Sequence, residues 1–459
     1  MSVSGIYESM KELLECAKLD SSFTEKIFQS VKFDCPLLSE EYKLIEVPNW
    51  LASELTNGGE NSVITLKDEP KPNNTGHVFA CTSDKTFSVI EAETSNTLLL
   101  ASKWWLPSTD CPQENLVFVT PIQAIKKNYF EFQRCSAPSL KQLRLMLSPS
   151  IYFGPVEDEA ESENESSRTN YLDLETVEGS LPCSKLELML AFRRLRICEI
   201  NGYVRILDPE YMTQVIRDLF ALADENTWDW RTHGFPFHAS IEGLKNQHLP
   251  SVTKQIMMLI CAQLENRKTT DSKDVYVFPR NSKICQVVGE HLLSVINSFD
   301  LNDFLTLWKA SVPNGLRPQL RRHLTCAGRA YCELSPLPPN DLPDESVEAR
   351  LGALFQRCAV WPEPELGSYI TELLPPQTPE EKGSSRRFAQ GQRSQINSYT
   401  DIPNAESDSD FSYEDICEES TNIEDVPKPV PSAVGSLLNK YCRVSNSSVG
   451  RVLTQRHFN

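Results

Sequence analysis

The hydrophobic pattern differs on the two sides of a short acidic run, and this difference limits the fold more than any single motif. Residues 157–167, EDEAESENESS, contain almost no apolar side chain and cannot bury enough surface to fold. Before this run, short apolar stretches alternate with turn signals, which is typical of β-strands. After it, apolar residues recur at helical spacing between brief strand-like runs. The sequence therefore predicts an α+β protein in which a β-rich part precedes mixed helical units.

The β-rich part is predicted to span residues 1–150. Its apolar runs include YKLIEV, HVFACT and NLVFVT, and turn signals such as NGG and PKPNN separate them. The segment CTSDKTFSVIEAETSNTLLLA, residues 81–101, is predicted to form two strands around a polar turn. Many short strands at this spacing favour a barrel or a sandwich. An incomplete set would leave an open edge that invites a partner strand.

From residue 181, the order helix, turn, strand and helix is typical of a winged-helix unit. Ser184, with Glu187 three residues later, is a predicted helix start, and NGYVRIL supplies a turn and a short strand. The same order of elements recurs, without identity of residues. The sequence therefore predicts an acidic linker at 151–180 and three tandem winged-helix domains at 181–238, 239–299 and 300–375.

The C-terminal part of the chain changes composition once more. Residues 376–431 are rich in Ser, Pro, Gln, Asp and Glu, which predicts a disordered insertion. Residues 432–459 resume helical spacing, with Val434 and Leu438 on one face, and continue into a strand-like run, GRVLTQ. We expect this last segment to dock back on the third winged helix.

The sequence contains no recognisable catalytic motif. The Gly-Lys dipeptide of a Walker-type phosphate loop is absent, as are the G-x-G-x-x-G, H-E-x-x-H and G-x-S-x-G patterns. His233 and His238 form one close pair, but further metal ligands do not lie nearby. We therefore expect no enzymatic activity, no catalytic residue, no cofactor and no metal.

The cysteines and the apolar runs indicate where the protein resides. The 14 cysteines are scattered without a C-x-x-C pair, and the chain begins with an amphipathic pattern rather than a signal peptide. No apolar run approaches the roughly 20 residues of a membrane helix. These features favour an intracellular protein with reduced thiols and no contact with a membrane.

The charge distribution identifies a region that could meet DNA. The net charge of −18 argues against phosphate binding over the whole surface. Residues 181–333, however, carry 19 Lys and Arg against 16 Asp and Glu, whereas the rest of the chain carries 26 against 47. Arginines on outward helix faces in this region could contact phosphates, and the alternative for each is a solvated surface position. The candidates are Arg193, Arg194, Arg317, Arg321, Arg322 and Arg329.

Four tryptophans in the same part of the chain have two possible roles, a stacking platform for a nucleic-acid base or a core side chain. The core role is favoured for each of Trp228, Trp230, Trp308 and Trp361.

Several stretches resemble a known family. CTSDKTFSVIEAETSNTLLLA, EINGYVRILDPEY and LPPNDLPDESVEARLGALFQRCAVWPEPELGSYITELL are similar, in this order, to segments of the sister chromatid cohesion proteins that form a subunit of an alternative, replication factor C-like clamp loader. SLLNKYCRVSNSSVGRV resembles the C-terminus of that family. The resemblance covers most of the chain, except 157–167 and 376–431. Gly367 and Ser368 depart from it, because the family usually has an acidic or proline residue there.

The resemblance implies a function and a set of partners. In the family, the β-rich part joins a small subunit and the C-terminal end of the large ATPase subunit to close a composite barrel. The winged helices contact DNA and the leading-strand polymerase. The chain is then expected to be a non-catalytic nuclear subunit that helps to load or unload the sliding clamp, which it meets indirectly. The strand residues expected to face partner subunits are Lys85, Phe87, Val89, Thr94, Ser95, Asn96, Leu98 and Leu100.

A second hypothesis is a stand-alone winged-helix DNA-binding regulator whose N-terminal part binds another ligand. The two hypotheses differ in what they predict for the isolated protein. An incomplete barrel exposes apolar surface and should be poorly soluble without its partners, whereas a self-sufficient regulator should be soluble alone.

Overall fold

A computed structural model of the 459-residue chain divides into two compact units. The N-terminal unit comprises Met1–Asn61 and Ser88–Gln133, and the C-terminal unit comprises Ser62–Phe87 and Arg134–Asn459. The structure describes residues 28–57, 63–68, 77–102, 104, 117–135, 138–155, 171–262, 274–295, 299–318, 327–330, 333–336, 342–344, 346–371, 373–374, 430–447 and 450–456, with five isolated positions before residue 19.

The fold is mixed α+β, as the sequence predicted. The helices are α1 (Asn49–Asn57), α2 (Leu140–Leu147), α3 (Leu174–Ser180), α4 (Lys185–Leu195), α5 (Pro209–Glu225), α6 (Phe237–Leu244), α7 (Pro250–Ile260), α8 (Asn281–Val295), α9 (Leu301–Ser311), α10 (Val347–Arg357), α11 (Glu363–Thr371) and α12 (Ser432–Tyr441). The strands are β1 (Phe28–Phe33), β2 (Ile45–Glu46), β3 (Thr65–Asp68), β4 (Val78–Cys81), β5 (Thr86–Ala101), β6 (Val117–Arg134), β7 (Ile151–Tyr152), β8 (Ile197–Ile200), β9 (Tyr203–Leu207), β10 (Phe235–Pro236), β11 (Cys261–Ala262), β12 (Tyr276–Pro279), β13 (Phe299–Asp300), β14 (Ala327–Ala330), β15 (Glu333–Pro336), β16 (Val360–Pro362), β17 (Cys442–Ser447) and β18 (Gly450–Gln455).

The N-terminal unit is built on two long strands, β5 and β6, of 16 and 18 residues. Both β1 and β2 run parallel to β6, and β5 is its other neighbour. Within the ranges given above, no sheet closes into a barrel. The prediction of two strands at residues 81–101 is wrong, because β5 continues without a turn from Thr86 to Ala101. Pairing with a long neighbouring strand overrides the weak turn preference of Thr, Ser and Asn.

The N-terminal unit buries few of its apolar side chains. Only four apolar residues among its described positions are buried, namely Leu51, Ile122, Ala124 and Phe132. Eleven large apolar residues of the same unit are exposed, namely Val31, Phe33, Leu37, Ile45, Trp50, Leu55, Ile90, Leu98, Leu99, Trp104 and Val119. Burial of one such side chain contributes roughly 1.5–3 kcal/mol, so this unit has much stabilisation left to gain from a covering surface.

The C-terminal unit repeats one order of elements: helix, strand, helix, helix, strand, strand. The first repeat (residues 140–207) uses α2 to β9, the second (209–279) uses α5 to β12, and the fourth (347–371 with 432–455) uses α10 to β18. The third repeat (281–336) follows the same order from α8 to β15, but residues 319–326, where its third helix would fall, lie outside the described residues. In all four repeats, the last strand lies at the centre of a three-stranded sheet.

Local sequence explains where several of these helices begin. Ser184 caps α4 by accepting the N–H of Glu187, as the sequence predicted. Asp208 and Asp300 cap α5 and α9 in the same way, each accepting two backbone N–H groups of the first turn. Between β8 and β9, Asn201 and Gly202 both have positive φ, of 53° and 84°. This pair makes the tight turn that NGYVRIL predicted.

The four hydrophobic clusters of the described residues all lie in the C-terminal unit. One joins the first, second and third repeats, and the others lie in the first, third and fourth repeats. Trp308 and Trp361 are buried in the third and fourth repeats, and their indole N–H groups donate to the carbonyls of Cys285 and Leu354. Trp228 and Trp230 are partly buried against the largest cluster. The core interpretation of these tryptophans is therefore confirmed.

The fourth repeat combines segments from both sides of residues 375–429, which lie outside the described residues. Val434, Leu438 and Leu453 share one cluster with Leu354 and Tyr369. Strand β18 pairs with β16, and Trp361 lies opposite Leu453. The C-terminal helix and strands thus complete a core that begins at residue 342.

The domain limits predicted from the sequence differ from the limits of these four repeats. The range 151–180 contains β7 and α3, which belong to the first repeat. Within that range, residues 156–170 lie outside the described residues, as do most residues of the predicted insertion at 376–431. The limits at 238, 299 and 375 stay predictions.

Gly367 permits close packing inside the fourth repeat. A Cβ atom at this buried position of α11 would lie 3.1 Å from a methyl carbon of Val430. We expect Gly367→Leu to destabilise the repeat by about 1–3 kcal/mol, because the added atoms overpack a filled site. The control is Gly435→Ala in α12, where a new Cβ meets nothing within 4 Å. This change should stabilise the helix by roughly 0.4–1 kcal/mol. Chemical denaturation of both variants measures the difference, and equal stability would contradict it.

Candidate assembly and DNA-binding surfaces

The residues predicted to face partner subunits fall into two groups. Lys85 and Phe87 are buried within the C-terminal unit, so they do not present a free surface. Further along β5, Ser95, Asn96 and Leu98 are exposed. Val89, Thr94 and Leu100 are half-buried.

Five successive residues of β5, at positions 95–99, are exposed. Because side chains of a strand alternate between its two faces, this stretch is open to solvent on both faces. It also contains Leu98 and Leu99, two of the eleven exposed apolar residues of the N-terminal unit. This half of β5 is therefore the part of the predicted interface that is free to meet a partner.

The first residue of β5 belongs to a buried polar network in the C-terminal unit. The hydroxyl of Thr86 donates to the Glu187 carboxylate and accepts the backbone N–H of Ser184 at 2.8 Å. Arg134, the last residue of β6, forms an ion pair with the other oxygen of that carboxylate. The Glu187 side chain is 1% exposed. A buried carboxylate requires such partners, and here they come from three separate segments of the chain.

This network replaces the expected capping box at α4. In a capping box, the Glu187 carboxylate would accept the backbone N–H of Ser184. Instead that N–H donates to Thr86, and the carboxylate accepts the Ser184 hydroxyl at 2.7 Å. The sequence predicted the cap at Ser184 but not the roles of Thr86 and Arg134. Thr86 and Arg134 are 101 and 53 positions away from Glu187 along the chain, so no local pattern indicates that they contact it. The acidic residue at the third helical position was the only local signal.

The arginines predicted to contact DNA occupy different environments. Arg193 is half-buried and Arg194 is exposed at the end of α4. Arg317 is exposed, while its backbone N–H and C=O are bonded to the Asn281 side chain. Arg321 and Arg322 lie outside the described residues, and Arg329 lies in β14 at a position whose side chain is not described.

The third helix of each repeat is the element that would enter a DNA groove if the repeats bind as winged helices. Helix α4 buries Leu188, Met189 and Phe192, and nearby Arg196 forms a 2.6 Å ion pair with Glu290 of α8. Helix α7 has buried residues at most positions and contacts β8 of the first repeat. Neither helix presents a continuous free face.

Helix α12 of the fourth repeat differs from α4 and α7. Only Val434 and Leu438 are buried, while Ser436, Asn439 and Lys440 are exposed. The adjacent β17–β18 hairpin carries three more cations, and all are exposed: Arg443, Arg451 and Arg456. The sequence-based candidates did not include these four cations, although KYCR, GRV and TQR place them close to an amphipathic helix.

Three of these cations have well-defined neighbours. Arg456 Nη1 donates to the carbonyl of Lys440 at 3.2 Å. Arg451 forms a 3.2 Å ion pair with Glu363 at the start of α11, and its Nη2 donates to Asn439. The Lys440 ammonium lies 4.7 Å from the Tyr441 ring centroid and donates to its hydroxyl. That hydrogen bond raises the pKa of Lys440 above its ordinary value, so the charge is retained at neutral pH. The surface formed by α12 and the β17–β18 hairpin, here called the basic face, is suited to phosphate contacts.

The buried cysteines are expected to be chemically inert. Burial raises the pKa of the Cys183 thiol to about 12 and that of Cys442 to about 11, and it also raises the pKa of Cys198. We expect a maleimide at about pH 7.5 to modify exposed Cys35 in the native protein. Cys183, Cys198 and Cys442 should react only after denaturation. Peptide mapping by mass spectrometry measures this, and native labelling of Cys198 would contradict the assigned burial.

Neither a metal site nor a membrane-spanning helix is found in the part of the chain that the structure describes. No group of three or more His, Cys, Asp and Glu residues there could hold a metal ion. Likewise, none of the helices in that part is both long and apolar enough to cross a bilayer.

The structure thus defines a class: a multi-unit α+β protein with repeated small domains and an N-terminal sheet that leaves much apolar surface open. Its sequence matches the family model of "Sister chromatid cohesion protein Dcc1" over residues 42–370. The chain therefore belongs to this family.

Individual relatives agree with the family assignment. The chain is 28% identical over 342 residues to sister chromatid cohesion protein DCC1 of Mus musculus, an alignment that covers 72% of this chain and 80% of the relative. It is 26% identical over 378 residues to the DCC1 protein of Xenopus tropicalis, covering 80% and 90% of the two chains. It is also 26% identical over 348 residues to the DCC1 protein of Homo sapiens, covering 72% and 81%.

Proposed function

We propose that this chain acts in sister chromatid cohesion as a non-catalytic, nuclear subunit of a replication factor C-like clamp loader. The observation that carries the proposal is the N-terminal unit, where eleven large apolar residues are exposed and four apolar residues are buried among the positions that the structure describes. A monomeric protein rarely exposes so many large apolar side chains while it buries so few. The family name of its relatives supports the cohesion role, and the sequence resemblance supports the clamp loader.

The partners in this proposal are the small subunit and the large ATPase subunit. They would add strands beside the open sheet of the N-terminal unit and cover apolar residues such as Phe33, Leu99 and Val119. Addition of a strand satisfies the free N–H and C=O groups of a sheet edge while it buries side chains. Catalysis and contact with the sliding clamp belong to the partners in this view.

The four repeats are proposed to be winged helices. Their support is the shared order of elements and the three-stranded sheets with the last strand at the centre. We place DNA contacts on the basic face of the fourth repeat, because its third helix is half-exposed, whereas α4 and α7 are largely buried. The leading-strand polymerase is a further proposed partner of the repeats.

Co-expression tests the assembly proposal. The full chain would be produced alone, with the small subunit, and with the small subunit plus the C-terminal segment of the large subunit. Size-exclusion chromatography with light scattering then gives mass and solubility. A stable complex with one copy of each component, and poor solubility of the chain alone, are expected. A soluble monomer that binds neither partner would favour the alternative, a stand-alone DNA-binding regulator.

Charge reversal tests the basic face. We expect Lys440→Glu with Arg443→Glu to weaken binding to duplex DNA and to flatten its salt dependence, by about 0.9 in the log–log slope for each lost phosphate contact. Fluorescence anisotropy at several salt concentrations measures both effects. Lys309→Glu, at an exposed position of α9, is the control and should change little. If the reversal of Arg321 and Arg322 has the larger effect, the DNA contact lies on the third repeat instead.

A further inference from the structure

The network around Glu187 fixes one end of both long strands. Strand β5 begins at Thr86 and β6 ends at Arg134, and both residues bond the same carboxylate. The Thr86 carbonyl also accepts from Arg134 Nη1 at 3.1 Å and from the Cys135 N–H at 3.3 Å. The first residue of β5 is thereby held opposite the last residues of β6 at a single, buried position.

Holding this end sets the register of the whole strand pair. Side chains of a strand alternate between two faces, so a slip of one residue would move every side chain to the opposite face. The exposed stretch at 95–99 starts nine residues after Thr86, about 30 Å along the strand. The polar sequence TSNT in this part of β5 has only a weak turn preference, so it does little to fix the register locally. The hydrogen bond between the Thr86 hydroxyl and the buried Glu187 carboxylate restricts the register much more strongly.

We propose that Thr86 and Glu187 are positioning residues for partner assembly: they act as a register lock that preorganises the exposed part of β5 and β6 for an incoming strand. The inference rests on the proposed assembly function. Neither side chain can touch a partner, since Thr86 is fully buried and the Glu187 side chain is 1% exposed. Their effect comes instead from removing alternative registers before binding, which lowers the conformational entropy lost on association.

The test uses two conservative substitutions at one position, one of which is nearly isosteric. Thr86→Val keeps shape but removes the hydroxyl that bonds Ser184 and Glu187, whereas Thr86→Ser keeps the hydroxyl. The two partners, the small subunit and the C-terminal segment of the large ATPase subunit, would be purified together. Each full-length variant would then be titrated into this pair to measure its affinity. We expect Thr86→Val to bind about tenfold more weakly, and Thr86→Ser to bind within about twofold of the unmodified chain.

A control of matched stability separates register from general weakening. Leu366→Ala in the buried core of the fourth repeat lowers stability without touching the network, and it should leave partner affinity unchanged. Hydrogen exchange along residues 88–101 gives a second readout, with faster exchange expected for Thr86→Val and not for Leu366→Ala.

The outcomes separate this inference from the function on which it rests. If the unmodified chain binds the partners and Thr86→Val binds equally well, the register lock is wrong and the assembly function stands. An equal loss of affinity in Leu366→Ala also overturns it, because stability alone would then explain the loss. If the unmodified chain fails to bind, the assembly function itself is wrong.

Discussion

Truncation of the chain after residue 429 is expected to unfold the fourth repeat. The deleted segment supplies Val434, Leu438, Cys442 and Leu453 to the cluster that also contains Trp361, and all four are at most 2% exposed. With roughly 1.5–3 kcal/mol for each buried side chain, the loss is about 6–12 kcal/mol. This is comparable with the whole free energy of unfolding of a small domain, about 5–15 kcal/mol. Loss of hydrogen-exchange protection in α10 and α11 measures it.

Internal deletion provides the matched control for this truncation. Val430 lies beside Gly367, and Gly367 lies four residues before Thr371, the last residue of α11. The two ends that a linker must join, the end of α11 and residue 430, are therefore about 6 Å apart along the axis of α11. A Gly/Ser linker of about ten residues in place of 376–428 easily spans that distance. This variant should retain a folded fourth repeat. If the linker variant also loses protection, residues 376–428 contribute to the fold, and the C-terminal segment is not sufficient.

Trp308→Ala is expected to have the second-largest effect, a destabilisation of about 3–5 kcal/mol. Trp308 is fully buried in the third repeat beside Phe304, and its indole N–H donates to the carbonyl of Cys285 in α8 at 2.9 Å. The substitution therefore opens a cavity and also removes the indole donor from the carbonyl of Cys285. Denaturant unfolding, followed by the fluorescence of the remaining tryptophans, measures the change.

The same helix offers a control position. Leu307 precedes Trp308 in α9 but is 40% exposed, so Leu307→Ala removes little buried surface. We expect a change within about 1 kcal/mol, since surface substitutions away from special features are usually small. Comparable losses for the two variants would contradict the assigned orientation of α9. Trp308→Phe should fall between them, because it keeps most of the volume and loses the hydrogen bond.

Much of the local structure followed from the sequence. The helix start at Ser184, the Asn201–Gly202 turn and the buried tryptophans were predicted because caps, turns and apolar periodicity act within a few residues. The repeated order of elements was also visible, since hydrophobic spacing changes each time a helix gives way to a strand. The family resemblance came from three stretches in a fixed order and a fourth at the C-terminus.

The sequence did not show which of the candidate interface residues are exposed. Lys85 and Phe87 were assigned to a partner interface, but they are buried, whereas Leu98 is exposed. The alternation of apolar and polar residues along a strand cannot distinguish a face buried within the chain from a face that meets a partner, because both faces are apolar. The basic face was missed for a related reason: whether α12 or α4 is free depends on which neighbouring repeat covers each helix.

The sequence alone determined many of the elements of this protein and the repeated order in which they occur, because these depend on short-range patterns of caps, turns and periodicity. Its motifs also indicated the family. Only the tertiary structure decided that β5 is one strand and that Glu187 bonds Thr86 and Arg134. The contacts of Glu187 join residues 53 and 101 positions apart. The free energy of such features comes from burial and pairing between distant segments, and no local pattern records which segments will meet.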